Sequence, residues 1–305
     1  MALSDAAPDD RGSGDPDPAG APTVRFVHHD GLRIAALDWG GAPGARPLVL
    51  LHPNGFCAGF FDPLARRLAA RGRFRPVAVD LRGHGATDKP PPPGPYHYEG
   101  MAGDVLAVLD DFGFEEVDIA GNSLGGGVAV HVDRLAPGRA RRLLLGEPVV
   151  LRIEPGQTVS TAHPMAAAAL RRKVVWPSRE AMIRSYGSRP PMDRLAPEAL
   201  AAYVEWGTED RPDGRVQLAC PPEVEAAIFV GSPALAGVNA GFDHLRHLRA
   251  SAVLLTGACS TIPPERMEAA AAQAGSPLVV LEDTGHFMLS EDTARAVALI
   301  EEHLG

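Results

Sequence analysis

Short apolar runs alternate with helical patterns along most of this 305-residue chain, and this alternation limits the fold more than any other feature. The runs are continuously apolar and bounded by Gly, Pro or charged residues, as is typical of strands buried on both faces of a sheet. They are PLVLLH (47–52), RPVAVD (75–80), VDIAGN (117–122), RRLLLGEP (141–148), AVLLTG (252–257) and PLVVLED (277–283). The helical patterns lie near residues 60–71, 98–112, 124–136, 263–274 and 291–303. We therefore predict an α/β fold with a mostly parallel, doubly wound sheet covered by helices on both sides.

Two segments precede this alternation. Residues 24–40 read VRFVHHDG followed by LRIAALDWG, and an Asp-Gly pair between two β-rich runs predicts a hairpin turned at Asp30-Gly31. Residues 1–22 contain no aromatic residue and almost nothing to bury, so we expect a disordered leader there.

Residues 149–250 interrupt the alternation. Their apolar residues fall into helical patches separated by prolines, with no convincing buried strand among them. The patches cover residues 166–176, 178–187, 197–207 and 221–229. We interpret this segment as a mostly helical insertion that divides one core domain into residues 23–148 and 251–305.

The charge of the chain argues against a polyanionic partner. The formal net charge is −9, but residues 1–22 contribute five aspartates against the single Arg11, so the remaining body is only mildly acidic. The arginines of that body are dispersed rather than clustered. We therefore expect no nucleic-acid binding.

The cysteines and the lengths of the apolar runs indicate the cellular compartment of the protein. Cys57, Cys220 and Cys259 are too few for a disulfide framework and form no CxxC pair. No apolar run approaches the roughly 18 residues of a membrane span, and the N-terminus lacks the basic stretch and apolar core of a signal peptide. We expect a cytoplasmic protein with no membrane contact and no metal or cofactor. Nothing in the sequence indicates its oligomeric state.

The pentapeptide Gly121-Asn122-Ser123-Leu124-Gly125 lies between a predicted strand and a predicted helix. A G-x-S-x-G sequence in that context makes a sharp, strained turn that raises the serine hydroxyl above the sheet edge. The two glycines are needed because the turn brings neighbouring backbone too close for a Cβ atom. Ser123 is therefore the predicted nucleophile.

Four segments in this order resemble the α/β-hydrolase fold superfamily. They are LVLLHPNGF (48–56), VAVDLRGHGATD (77–88), GNSLGG (121–126) and DTGHF (283–287). The resemblance spans both core blocks and implies a serine hydrolase in which the helical insertion forms a cap over the active site. It also places the general base at His286, which follows the last predicted strand.

The resemblance further implies an oxyanion hole formed by two backbone N–H groups. One belongs to Leu124, directly after the nucleophile, and the other comes from the loop after residues 47–52. Pro53 stands where relatives usually have a glycine and has no N–H to donate, which leaves the Asn54 N–H as the second donor. The Asn54 side chain either holds a loop or touches substrate, and the sequence leaves both open.

The orienting carboxylate departs from the family pattern. Relatives usually carry an aspartate three residues after the glycine that ends the penultimate strand, whereas this chain has Ser260 there. The turn formed by residues 121–125 is called the elbow. Glu147 follows the strand after the helix that begins at the elbow, where some relatives place their acid, and it is our predicted replacement. Asp283 is close in sequence to His286 but is expected at the strand edge. A Ser–His dyad without any acid is the remaining alternative.

The other motif residues have less direct roles in this interpretation. Asp80, Arg82, Gly83 and Gly85 are expected to fix a loop beneath the site, and a catalytic role for His84 or Asp88 is less favoured. Cys57 either flanks the pocket or, as we prefer, is a packed small residue. Most of the aromatic residues and methionines of the insertion are expected to pack it onto the core, while a minority line the pocket. They are Trp176, Tyr186, Tyr203, Trp206, Phe229, Met165 and Met182.

Together these features predict hydrolysis of a small, partly apolar ester, lactone or related acyl compound through an acyl-enzyme. Serine at the elbow argues against dehalogenase and epoxide hydrolase chemistry, which use a carboxylate nucleophile. Two alternatives stay open because the usual aspartate is absent. One is a cofactor-free lyase, cyclase or oxygenase on the same scaffold, and the other is a catalytically weak ligand-binding protein.

Overall fold

The computed structural model describes residues 20–92, 94–150, 164–230 and 237–305. The predicted disordered leader, residues 1–22, lies almost entirely outside the described residues, since only its last three are included.

Eleven strands are present in the described residues, and eight of them form the central sheet. In chain order the strands are β1 (Thr23–His29), β2 (Leu32–Asp38), β3 (Arg46–Leu51), β4 (Phe74–Val79), β5 (Val117–Asn122), β6 (Ala140–Gly146), β7 (Val175–Trp176), β8 (Thr208–Asp210), β9 (Val216–Leu218), β10 (Ser251–Gly257) and β11 (Leu278–Leu281).

The central sheet has the strand order β1-β2-β4-β3-β5-β6-β10-β11. β1 pairs with β2 and β2 with β4 in antiparallel fashion, whereas every other neighbouring pair is parallel. The predicted hairpin is therefore confirmed, with Asp30 and Gly31 at φ values of 52° and 75° in its turn. The mostly parallel sheet is confirmed as well.

Ten α-helices are present in the described residues. They are α1 (Asp62–Ala70), α2 (Tyr98–Asp111), α3 (Leu124–Leu135), α4 (Pro164–Leu170), α5 (Arg179–Tyr186), α6 (Pro197–Trp206), α7 (Pro222–Val230), α8 (Gly237–Leu245), α9 (Pro264–Ala274) and α10 (Thr293–His303). None of them combines the length and apolar character needed to cross a bilayer.

Alternate residues of each central strand point to opposite faces of the sheet, so the core has two layers. In β3, Val49 and Leu51 join the layer that contains residues of α2, α3 and α9. Leu48 and Leu50 join the other layer, which contains residues of α1 and α10. All four strand residues are fully buried. Continuous apolar runs are thus explained by a sheet that buries both faces.

The segment predicted to be mostly helical is not purely so. β7, β8 and β9 form a three-stranded antiparallel sheet of their own within it. The predicted helix over residues 166–176 ends at Leu170, and its last two residues are β7. Strands of two or three residues are too short for an alternating pattern to be visible in a sequence. The pairing of β7 also depends on β9, which lies far along the chain, since Val175 is opposite Gln217.

Gly125 provides a test of the packing around the elbow. A Cβ atom added at Gly125 would lie 2.1 Å from the Leu51 carbonyl oxygen, a backbone atom of the central sheet. We expect Gly125→Ala to destabilise the protein by about 1–3 kcal/mol, because overpacking against backbone cannot be relieved by a rotamer change. Urea unfolding monitored by circular dichroism measures this.

Gly103→Ala is the matched control, since it also adds one methyl group within a helix. A Cβ atom there meets the edge of the His29 ring rather than backbone, and a small shift of that partly exposed ring, with its hydrogen bond to Asp104, can accommodate the methyl group. We expect a clearly smaller loss of stability for this variant. If Gly125→Ala and Gly103→Ala unfolded at the same urea concentration, the close approach of Gly125 to the Leu51 carbonyl would be contradicted.

Candidate active site

Ser123 occupies the tight turn between β5 and α3. Its φ of 56° is in the left-handed region, which non-glycine residues adopt only where the surrounding structure holds them. The Ser123 N–H donates to the Gly146 carbonyl at 2.8 Å, and its carbonyl accepts from the Gly127 N–H at 3.1 Å. A Cβ atom at Gly121 would lie 2.5 Å from the Gly125 carbonyl oxygen, so the turn excludes a side chain there.

Glu147 stands directly after β6, the neighbour of β5 in the sheet. Its φ is 40°, and its N–H donates to the Leu255 carbonyl at 2.9 Å, which ties this position to β10. Because parallel strands end at the same edge of a sheet, Glu147 and Ser123 emerge at one edge. The Glu147 side chain is completely buried.

His286 lies in the loop after β11 and meets Glu147. The distance from His286 Nδ1 to Glu147 Oε2 is 2.5 Å. An ionised carboxylate can only accept, so Nδ1 carries the ring proton and donates it in this hydrogen bond. That tautomer leaves the lone pair of the ring on Nε2, where a base needs it. The imidazole is 23% exposed and lines the same cavity as Ser123.

The pKa of Glu147 is held below its ordinary value despite its burial. Burial by itself raises the pKa of this carboxyl, but the hydrogen bond and charge interaction with His286 outweigh it, with further help from Ser260 and the Gly257 N–H. The Gly257 N–H donates to Oε1 at 3.1 Å, and the Thr256 hydroxyl donates to the same atom at 2.9 Å. Glu147 is therefore a carboxylate at neutral pH.

Ser260 takes part in this cluster although it cannot act as an acid. Its hydroxyl donates to Glu147 Oε2 at 2.8 Å and accepts from the Ile262 N–H at 3.1 Å. The residue at the usual position of the aspartate thus supports a carboxylate that comes from another strand. Asp283, the other acid considered from the sequence, is exposed and makes no hydrogen bond to His286 among the described contacts.

Asn122 has a positioning role that sequence reasoning missed. Its side-chain amide donates to the Gly146 carbonyl at 2.9 Å and to the His286 carbonyl at 3.0 Å. One buried amide therefore connects the elbow, the end of β6 and the histidine loop. Asn122 occupies one of the two variable positions of G-x-S-x-G, so the motif itself offers no signal for this role.

The loop after β3 is held by two neutral histidines. His52 Nδ1 donates to the Pro53 carbonyl at 2.8 Å, and its Nε2 accepts from the Leu81 N–H at 3.0 Å. The Gly55 N–H donates to His84 Nε2 at 2.9 Å. Burial lowers the pKa of His52 to about 4 and lowers the pKa of His84 as well, so both rings are neutral acceptors.

Asn54 uses its side chain to reach the insertion. Its Nδ2 donates to the Glu225 backbone carbonyl in α7 at 3.0 Å. Between the two roles considered for this side chain, the structure places it in a loop-holding contact. Asn54 also lines the cavity, and Leu124 begins α3, where the first N–H groups of a helix have no acceptor within that helix.

A buried cation network joins the insertion to the same loop. Arg172 forms an ion pair with Glu225 and donates to the Tyr203 hydroxyl at 2.6 Å and to the Tyr186 hydroxyl at 3.1 Å. The Tyr203 hydroxyl in turn donates to the Gly55 carbonyl at 3.1 Å. No feature of the sequence predicts this network, because its members lie up to 170 residues apart.

The DLRGHGATD segment (80–88) packs inside the protein and does not line the cavity. The fully buried Arg82 donates to both carboxylate oxygens of Asp104, at 2.7 and 2.8 Å. Asp80 accepts from the Ala58 and Ala86 N–H groups, and its burial raises its pKa to about 6. Among the described residues, none of this segment lines the cavity that contains Ser123.

That cavity has a volume of about 590 Å³, within the usual range for small-molecule sites. Five of the seven aromatic residues and methionines considered in the insertion line it, whereas Met182 is buried in the core and Trp206 packs against Gly59. The five are Met165, Trp176, Tyr186, Tyr203 and Phe229. Cys57 is buried and is not part of the lining. More of these side chains reach the cavity than the minority expected.

Comparison with known proteins agrees with this fold. The profile of the alpha/beta hydrolase family matches residues 48–299. An uncharacterized protein of Mycobacterium tuberculosis is 29% identical over 299 residues, which cover 93% of this chain and 81% of that protein. Epoxide hydrolase A of the same organism is 26% identical over 253 residues, covering 75% of this chain and 74% of the relative.

Among solved structures, E-2-(acetamidomethylene)succinate hydrolase superposes with a TM-score of 0.76 and 18% identity, over 93% of this chain and 99% of that one. At that identity the likeness concerns the fold alone. The family profile covers most of the chain, and the chain therefore belongs to the alpha/beta hydrolase family. Hydrolase activity follows as the general expectation for such a chain.

Proposed function

We propose that the protein is a serine hydrolase that cleaves a small ester, lactone or related acyl compound through an acyl-enzyme. The observation that carries the proposal is the 2.5 Å hydrogen bond from His286 to a buried Glu147, beside the strained turn that holds Ser123. A hydroxyl needs a base, and the base needs a fixed tautomer and a partner for its positive charge.

The reaction proceeds in two halves. The Ser123 Oγ attacks the ester carbonyl carbon while His286 Nε2 takes the hydroxyl proton, and Glu147 stabilises the resulting imidazolium. The bond to the leaving alcohol then breaks, and the alcohol oxygen receives the proton from His286. Water repeats the sequence on the acyl-enzyme and releases the acid and free Ser123. The N–H groups of Asn54 and Leu124 stabilise the negative oxygen in both halves.

The insertion serves as a cap in this proposal, covering residues 149–250. Most of the cavity lining comes from α4, α5, α6, α7 and their connections, whereas Ser123 and His286 come from the core. The partner is a small molecule with an apolar portion, since aromatic side chains form much of the wall. Three unpaired cysteines fit a reducing compartment such as the cytoplasm.

Opening of an epoxide is a less suitable reaction for this chain, although one relative is named an epoxide hydrolase. Attack of a serine oxygen on an epoxide carbon would leave an ether on the enzyme. An ether has no carbonyl group for water to attack, so the enzyme would stop after one turnover. The lyase and ligand-binding alternatives rested on a missing acid, and the contact of Glu147 with His286 supplies one.

Active-site labelling tests the proposal. A fluorophosphonate probe should modify the native protein at about one equivalent, and peptide mass spectrometry should locate the label on Ser123. Heat-denatured protein, in which His286 no longer activates the hydroxyl, should remain unlabelled. The absence of labelling, or a label on another serine, would contradict an activated Ser123.

The contact between Tyr203 and the loop supports a further prediction. Removing the buried hydroxyl in Tyr203→Phe leaves the Gly55 carbonyl and one Arg172 donor without their partner. We expect kcat for a simple ester to fall about tenfold with the fold retained, because the loop carrying the Asn54 N–H loses an anchor.

Tyr186→Phe is the matched control, since it also removes a hydroxyl bound by Arg172 but has no contact with the loop. Its effect on kcat should be clearly smaller. Steady-state kinetics measure kcat for both variants. An equal fall in kcat would mean that Tyr203 acts only through Arg172, and not through its contact with the Gly55 carbonyl.

A further inference from the structure

The charges around the cavity have the opposite sign to the chain as a whole. The protein carries a formal net charge of −9. Four cations line the cavity that contains Ser123, and Glu225 is the only carboxylate in its described lining. The four cations are Arg171, Arg172, Lys173 and Arg189. A cleft lined mainly by positive charges raises the local concentration of anions, even when the protein as a whole is acidic.

Arg172 is already engaged by protein groups, which take three of its five N–H donors. It is largely buried, pairs with Glu225 and binds two tyrosine hydroxyls. Together Arg172 and Glu225 form a nearly neutral unit in the cavity wall. The excess positive charge therefore rests on the other three cations.

Arg171 and Arg189 have exposed side chains with donors to spare. Within the described part of the chain, neither guanidinium forms an ion pair or a side-chain hydrogen bond. Arg171 follows α4 and Arg189 follows α5, so the two come from separate segments of the insertion and meet the same cavity. Lys173 Nζ lies 4.3 Å from the centre of the Trp176 ring, with its charge beside the apolar wall.

Apolar side chains form much of the remaining wall, and Met165, Trp176, Met192 and Phe229 are among them. A ligand that matches each part of this lining has an acyl carbonyl at Ser123, an apolar portion and a separate negative group for the cations. Guanidinium groups bind carboxylate and phosphate oxygens in paired hydrogen bonds.

We propose that the substrate is an anionic ester whose carboxylate or phosphate, remote from the scissile bond, is bound by Arg171 and Arg189 with Lys173 nearby. This inference rests on the proposed serine hydrolase function and specifies its substrate class. The remote charge orients the substrate, and its binding energy fixes the carbonyl relative to Ser123.

Three chromogenic esters test the preference. One is mono(4-nitrophenyl) adipate, which ends in a carboxylate, the second is its neutral methyl ester, and the third has a terminal phosphate on a chain of equal length. We expect kcat/KM to be at least about tenfold higher for one or both anionic esters than for the neutral one. The better anion identifies which group the cavity accepts. Raising the salt concentration should reduce that preference.

Substitution of the two arginines shows whether they cause the preference. In Arg171→Gln/Arg189→Gln, the ratio of anionic to neutral kcat/KM should fall about tenfold, mainly through the KM of the anionic ester. Arg184→Gln is the matched control, because Arg184 is an exposed arginine of α5 outside the cavity lining. The ratio should be unchanged in that control. Equal kcat/KM for all three esters, or a ratio unaffected by the double substitution, would overturn the inference.

Binding to Ser123→Ala protein separates this inference from the proposed function. Calorimetry should give tighter binding of the anionic than of the neutral ester, and the added arginine substitutions should remove the difference. If the native protein cleaves neither ester but this binding difference is present, the hydrolase proposal fails and the anion site stands. If it cleaves both without a binding difference, the anion site is wrong.

Discussion

Ser123→Ala should reduce kcat for a simple 4-nitrophenyl ester by about 10⁴- to 10⁶-fold, with the protein still folded. In the proposed mechanism the Ser123 hydroxyl is the group that becomes acylated, and Ser123 lines the same cavity as His286. The alanine retains the turn, since φ at 123 is set by the Gly121 and Gly125 contacts on either side. Steady-state kinetics and a urea unfolding curve on the same preparation measure both effects.

His286→Ala should produce a loss of similar size, and the double variant should be no slower than either single one. Residues that act in one step give such non-additive effects, because the second removal acts on a step that is already absent. A Ser123→Ala protein that kept more than about 1% of native turnover would show that the hydroxyl is not the nucleophile.

Glu147→Gln should lower kcat by about 10⁴-fold while leaving the fold intact. Glutamine has nearly the same shape, but it is neutral and can present an amide N–H to His286 Nδ1. That donor would select the tautomer with its proton on Nε2, which cannot accept the serine proton. The neutral side chain also no longer stabilises the imidazolium. The effect is a loss of kcat, since neither change removes a contact with bound substrate.

Ser260→Ala is the control for this substitution. It removes one of the hydrogen bonds to Glu147 Oε2 but keeps the carboxylate and the 2.5 Å contact with His286. We expect a reduction in kcat of no more than about tenfold. If Glu147→Gln were no worse than Ser260→Ala, another group would have to orient the histidine.

Much of the core could be predicted because its signals are local. The runs that form β3, β5 and β10 are mainly apolar, and a helical pattern follows each of them before the next strand. A buried parallel sheet requires such runs, so their order along the chain is enough to predict it. Short strands such as β7 and β8 have no comparable signal, and the helical prediction failed there.

The acid shows where prediction from sequence reaches its limit. Ser260 breaks the expected pattern, and the sequence favoured Glu147 as the replacement while leaving a Ser–His dyad without any acid open. The distance between Glu147 and His286 depends on how β6, β10 and the final loop meet, since these residues are 139 positions apart. The same holds for Asn122, whose amide joins three segments.

The sequence by itself therefore determined the family, the sheet and the place of Ser123 at its edge, because strand patterns and the glycines of the elbow act over a few neighbouring residues. Only the tertiary structure decided that Glu147 meets His286, that Tyr203 and Glu225 hold the loop of Asn54, and that Arg171 and Arg189, which have no ion pair within the described residues, line the cavity. These contacts join segments distant in sequence, and their geometry arises only when the sheet edge and the insertion are brought together.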